Sequence, residues 1–417
     1  MPASTPANNT ASKAVAVEVR AQVGGRLKAF YGPRGYWPMW VRGGGIGPEA
    51  ATLLDLLASA DLDGLEPKGY NAPRLRALIV DARDGTPKAL AKAEIGLSQA
   101  FADYVRDVRR PVAIGTTYLD PELKPERLRP DAILRAAALP ASFTDYVRQM
   151  GWMSPLYVRL RAALAGYHSS AEGERILRLN LDRARMLPGP WTRHVVVDAA
   201  SARLYYYQDG KQQATMRVVV GTPETQTPML AGMVRYAILN PYWNVPPDLV
   251  TKRIAPKILA GASLASLRYQ ALADWSVASP PRDPSTIDWH AVAAGEQEVR
   301  IRQLPGGANA MGKVKFVFPN DQGIYLHDTP DKALMTKSAR HLSNGCVRLE
   351  DAPALGRLLF GKPLSSTSKA PEQDVPLPRP VPVYLTYLTA SPTAKGVDLL
   401  TDVYHRDGGL ADGRAAP

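Results

Sequence analysis

The stretch from Ile324 to Leu349, IYLHDTPDKALMTKSARHLSNGCVRL, holds the single cysteine of the 417 residues, Cys346, and two of the six histidines, His327 and His341. A thiolate nucleophile needs a base to take its proton and donors for the oxyanion it creates. Ile324-Tyr325-Leu326 reads as a short strand that delivers His327 at its end. Ser343-Asn344-Gly345-Cys346 reads as a tight turn into a second short strand, Val347-Arg348-Leu349, with the amides of Gly345 and Cys346 as oxyanion donors. His327 and Cys346 are too far apart along the chain to share a helix turn, so the fold must join them. Two other readings compete. A lone cysteine is commonly a small buried apolar residue. A metal site from His327, Asp328, His341 and Cys346 lacks the CxxC or HxxxH spacing that zinc ligands show. The glycine before Cys346, the arginine two residues after it and the HDTP upstream favour catalysis without metal or cofactor. His341 is the secondary candidate for the base, and Asp328 reads as a stabiliser of its own loop.

HDTP followed by SxGCVRL resembles the signature of the L,D-transpeptidases of the YkuD type, enzymes that cross-link peptidoglycan through a cysteine. The resemblance implies that Cys346 is the nucleophile and His327 the base. Many members have a histidine directly before the Gly-Cys pair; here Asn344 stands there, which weakens a second-histidine role and leaves the nucleophile assignment intact. Asn240 to Pro246, NPYWNVP, and Pro305 to Gly312, PGGANAMG, are similar to further family segments. Tyr242 and Trp243 are then candidates for the wall of a substrate groove. Tyr325 shares the strand face of His327, and Ser343 and Asn344 sit in the nucleophile turn. Arg340 and Arg348 are candidates for bidentate pairing with substrate carboxylates. The substrates implied by the resemblance are peptidoglycan stem peptides: a tetrapeptide donor cut between meso-diaminopimelate and D-alanine, and a second stem as acceptor, giving a 3,3 or a 1,3 link. A hydrolase working through the same acyl-enzyme, and a non-catalytic wall-binding protein with a relic site, are the alternatives. Reaction of the thiol with a β-lactam of the carbapenem class separates the last of these from the enzymes.

The whole-chain figures agree with an ordinary globular protein: 45% hydrophobic and 22% charged residues, with a formal net charge of +12. The positive balance favours anionic partners, but no basic run with interleaved aromatics points to nucleic acid. No apolar run reaches the length of a transmembrane helix, and Met1 is not followed by a signal peptide. The resemblance implies the periplasm, and hence a trimmed chain; a monomer is expected.

The elements that must position the pair are helices first and strands after. Residues 1–14 are polar and read as a disordered lead-in. Residues 15–190 carry helical stripes, interrupted by the aromatic loop FYGPRGYWPMW (30–40), which reads as a plug in a core. This part resembles the scaffold of the large Gram-negative members. Their helical peptidoglycan-binding module would sit near His168–Gly173, and so short a gap predicts its absence. From Trp191 the period changes to two, with Asp209-Gly210 as a hairpin turn. The expected fold class is α+β: a helical N-terminal scaffold, then a mostly antiparallel β-sandwich of the YkuD type over 191–390, with a lid inserted at 248–298. Residues 391–417 read as a C-terminal tail, loosely ordered from Asp402 to Pro417, in which Tyr404 packs.

Overall fold

A computed structural model describes residues 6–276, 279–366, 368–393 and 396–408. The longer helices of the N-terminal part are α1 Pro6–Gln22, α2 Glu49–Ala58, α3 Ala72–Asp81, α4 Pro87–Val108, α5 Pro130–Ala137, α6 Phe143–Arg148, α7 Pro155–Ala165 and α8 Ala171–Arg185. The first of them corrects the expected lead-in, because helix begins at Pro6 and so includes most of residues 1–14. Only residues 166–170 link α7 to α8, which leaves no room there for a separate module.

Helix α4 is the axis of this half. Pro87 occupies its first turn and the Thr86 hydroxyl accepts the Ala89 N–H, a favourable start for a helix. Leu90, Ala93, Leu97, Phe101, Tyr104 and Val108 recur at helical spacing and are all buried. Two carboxylates tie the loops to the helices. Glu94, fully buried, accepts the backbone N–H groups of Met39 (2.7 Å), Trp40 (2.8 Å) and Val41 (3.2 Å) and the Tyr31 hydroxyl (2.5 Å). The aromatic loop is thus a plug held from inside by Glu94, with Ser98 beside it bonding the Tyr31 hydroxyl and the Trp40 indole. Asp63 accepts the hydroxyls of Tyr104 and Tyr157 and the Nε of Arg161. Burial pushes Glu94 above the usual carboxylate range, while the donors that face it oppose the shift.

The second half is built from strands β1 His194–Asp198, β2 Arg203–Gln208, β3 Lys211–Gly221, β4 Leu230–Leu239, β5 Trp243–Val245, β6 Tyr269–Leu272, β7 Arg300–Gln303, β8 Val314–Val317, β9 Leu326–His327, β10 His341–Ser343, β11 Val347–Leu349 and β12 Gln373–Thr386. A helix, α9 (Ala352–Phe360), follows β11 and is capped by Asp351. The main sheet runs β8-β9-β11-β3-β2-β1-β12-β4, and β4 also pairs with β8, so the hydrogen-bonded path closes on itself around a core of Val, Leu and Phe side chains. The sheet is mixed: β9–β11, β3–β10 and β1–β12 are parallel. Residues Thr117–Tyr118, from the connector of the helical half, add a further parallel pair to β4. The β2–β3 hairpin turns at Asp209 (φ 54°) and Gly210 (φ 81°), both in the left-handed region that a two-residue hairpin requires.

One boundary shifts. The insertion is larger than 248–298, because β5 and β7 flank it and form a separate three-stranded sheet with β6 over a small core that includes Val245, Val250, Ile254 and Ile301. After α9 the proline-bearing segment is strand from Gln373, and pairing with β4 breaks between Pro376 and Val381, where prolines cannot donate. The chain past β12 forms a short hairpin, Ala390–Thr393 with Gly396–Leu399, and is anchored beyond it. Tyr404 is buried and stacks on Tyr387 at 4.9 Å, and Asp407 pairs with the buried Arg183 of α8 at 2.7 Å. Among the described residues no helix is long and apolar enough to cross a membrane.

Replacing Glu94 by Ala leaves three buried amides without an acceptor, at about 1–3 kcal/mol for each unsatisfied group before relaxation, while the Tyr31 hydroxyl keeps Ser98. The expected outcome for Glu94→Ala is a loss of about 3–5 kcal/mol, read as a lower urea midpoint for the unfolding of the helical half.

Candidate active site

Register decides the geometry of the site. In the parallel pair β9–β11, Leu326 lies opposite Val347 and His327 opposite Arg348, and the Val347 N–H donates to the Tyr325 carbonyl at 2.9 Å. Alternation then sends Leu326, Val347 and Leu349 into the core, where all three are fully buried. Tyr325, His327, Cys346 and Arg348 emerge on the opposite face, so Cys346 and His327 are diagonal neighbours on adjacent strands. All four line one cavity of about 330 Å³.

The turn before β11 presents the thiol. Gly345 has φ 104°, a conformation that side chains of L-residues rarely allow, and a Cβ there would crowd Ile324. The Ser343 hydroxyl donates to the Cys346 carbonyl at 2.6 Å and accepts the Gly345 N–H at 3.2 Å. The Gly345 amide is therefore engaged, which corrects the expectation that it serves an oxyanion. The Cys346 amide has no acceptor among the described residues and is the open donor.

His327 is buried, and its Nδ1 lies 2.6 Å from the Asp328 carbonyl. A carbonyl can only accept, so Nδ1 carries the proton and Nε2 is left as the base. The Asp328 carboxylate takes no part in this: it binds Lys332 Nζ at 2.8 Å and the Lys313 N–H at 3.0 Å, as a loop stabiliser. Burial, and then the Arg348 cation, push His327 down to about 4. Burial pushes the Cys346 thiol up, opposed by a backbone hydrogen bond from Tyr325 and by the cations Arg348 and Lys315. The residue remains partly open to solvent, which limits that rise. At neutral pH the pair rests as thiol and imidazole, and charge appears only as the proton moves.

Other expected residues divide cleanly. Tyr242, Trp243, Ser343 and Asn344 line the same cavity. Arg348 lines it too, and its guanidinium makes no hydrogen bond or ion pair with a described residue. Arg340 does not belong to the substrate set: its guanidinium is spent on the carbonyls of Val218, Ser201, Ala202 and Lys337, where it clasps β3 to the segment before β10. His341 also faces away, with Nε2 at 3.0 Å from the Ala199 carbonyl. Lys315, Met311, Gln322 and Trp275 line the cavity without having been picked out in the sequence. Trp275, from the insertion, could not be assigned there by any local pattern. Lys315 is paired with Glu372 at 3.4 Å and lies over the Tyr325 ring.

A profile of the YkuD family, the L,D-transpeptidase catalytic domain, matches residues 192–358, and a scaffold-domain profile matches residues 25–164. This chain carries a YkuD L,D-transpeptidase domain behind a scaffold domain. A Haemophilus influenzae protein provisionally named an L,D-transpeptidase is 27% identical over 393 residues, 91% of this chain and 78% of that protein. Among solved structures, an L,D-transpeptidase from Mycobacterium smegmatis is 12% identical with a TM-score of 0.24, over 46% of this chain and 58% of that one. The structure titled as the Ldtfm–avibactam carbamoyl enzyme is 14% identical with a TM-score of 0.22, over 49% and 51%. Scores this low carry no argument, and the register of β9 on β11 stands on its own.

Two titration outcomes follow from the pair. Alkylation of Cys346 by iodoacetamide, followed by intact mass against pH, is expected to have its midpoint above the ~8.5 of a free thiol. The acid limb of acyl transfer is expected near pH 4, where His327 gains its proton, instead of near the ~6.5 of a free imidazole.

Proposed function

We propose that this protein is a cysteine-dependent peptidoglycan L,D-transpeptidase. The observation that carries the reading is the β9–β11 register, which sets a thiol, an imidazole held by its Nδ1 and an arginine on one wall of one cavity. His327 Nε2 takes the thiol proton as Sγ attacks the carbonyl of the diaminopimelate–D-alanine bond. A C–S bond forms, and the carbonyl electron pair moves to oxygen, beside the Cys346 N–H. Collapse of this intermediate breaks the C–N bond, and D-alanine leaves with the proton from His327. The thioester is then attacked by an amine of a second stem, which gives its proton to the imidazole; the amide forms and the thiol is regenerated. Arg348 meets a substrate carboxylate by bidentate pairing. The net charge of +12 favours approach to an anionic polymer.

The insertion supplies part of the groove through Trp243, Pro246 and Trp275, and acts as the lid of the site. A diaminopimelate side-chain amine as acceptor gives a 3,3 link and an L-alanine amine a 1,3 link. With no separate module between α7 and α8, the groove itself is the proposed place of substrate capture. The setting proposed for this chemistry is the periplasm.

Purified protein incubated with disaccharide-tetrapeptide is expected to give a dimer by mass spectrometry, with free D-alanine, and Cys346→Ala to give none. Fragmentation assigns the link. Tripeptide and D-alanine without dimer would replace transpeptidation by carboxypeptidase action, and an unchanged substrate would remove this donor. Arg348→Gln is expected to raise KM at least tenfold, in keeping with the ~1.5–3 kcal/mol of a hydrogen bond to a charged group.

A further inference from the structure

The open amide of Cys346 belongs to the same peptide group as the Gly345 carbonyl, and that carbonyl is held. The Thr227 hydroxyl, from the turn between β3 and β4, donates to it at 2.7 Å. The described peptide bonds are all trans, so the N–H of this group points opposite to its C=O. Fixing the carbonyl on Thr227 therefore fixes the direction of the Cys346 N–H, away from the buried side of the loop. Donation to the carbonyl also polarises the peptide group and strengthens its N–H as a donor.

Thr227 is itself held on both sides. Its hydroxyl accepts the Gly221 N–H at 2.9 Å, and its backbone N–H donates to the Tyr404 hydroxyl at 3.4 Å. Tyr404 donates in turn to the Gly221 carbonyl at 2.6 Å. This close packing needs glycine at 221, because a Cβ there would lie 2.0 Å from the Thr225 carbonyl oxygen. Tyr404 comes from the chain beyond β12 and is kept in place by the Tyr387 ring and by Arg406 beside it. Neither Thr227 nor Tyr404 lines the cavity.

We propose that Thr227 is a positioning residue that aims the Cys346 amide at the oxyanion of the acyl-transfer intermediate, and that Tyr404 holds Thr227 in that role. The inference uses the nucleophile assignment of the preceding section but not its substrate.

The test compares two reactions of the same thiol. p-Nitrophenyl acetate acylates Cys346 through a tetrahedral oxyanion, with p-nitrophenolate as leaving group. Iodoacetamide alkylates it by displacement of iodide, with no oxyanion at an acyl carbon. Thr227→Val is expected to slow acylation at least tenfold at saturating ester, with the ester KM and the alkylation rate within twofold of the parent chain. Thr227→Ser, which keeps the hydroxyl, is expected to restore acylation to within threefold. Tyr404→Phe, which keeps the ring, is expected to slow it about three- to tenfold. Alkylation that falls in step with acylation would make Thr227 a mere prop of the loop and overturn the proposal. So would unchanged acylation in Thr227→Val, or, if that variant does not fold, unchanged acylation in Tyr404→Phe. A parent chain that is acylated by the ester but leaves tetrapeptide untouched would sink the peptidoglycan reading and leave this inference standing.

Discussion

The pairing of two very short strands carries the rest of the site. β9 has two residues and β11 three, yet their register alone decides what faces the groove. A slip by one residue would send Leu326, Val347 and Leu349 into solvent and bury Tyr325, Cys346 and Arg348. Three apolar side chains on one face thus lock four polar ones on the other. Neither strand is long enough to hold this register unaided. β9 is pinned by β8 on its other side and β11 by β3, so the pair sits inside a closed circuit with no free edge.

Much of this was legible in the sequence, because period-two alternation is a local signal. The common face of Tyr325, His327, Cys346 and Arg348 follows from reading VRL and YLH as strands, and the turn at Gly345 follows from a glycine before the thiol. What failed did so for a physical reason. Arg340 is close to Cys346 along the chain, but sequence proximity does not say to which side a loop arginine turns, and the carbonyls of β3 claim it. The Gly345 amide is lost to a neighbouring hydroxyl at a range that residue types alone do not fix. Prolines in QDVPLPRPVPVYLT suggest loop, yet the strand tolerates them by interrupting its pairing. The extent of the insertion was misjudged because β5 and β7 resemble catalytic strands and differ only in their partners. Thr227 and Tyr404 carry no local signal; their relation to Cys346 exists only across the fold.

The helical half follows a different rule. There the stripe along α4 is easily read, but the loops are held by buried carboxylates, Glu94 and Asp63, whose partners lie far away in sequence. Both act as acceptors for several donors at once, which is how a carboxylate survives burial. The same economy appears at Arg183, fully buried, whose charge is met by Asp407 and by the Arg406 carbonyl.

That last contact bears on what stands behind the site. Asp402 to Gly408 follow every strand of the sheet, and they bridge α8, through Asp407 on Arg183, to the turn before β4, through Tyr404 beside Thr227. The loop that carries Cys346 therefore leans, two contacts removed, on the helical half, and removal of this segment would strip the Arg183 cation of its carboxylate and Thr227 of its tyrosine neighbour in one cut.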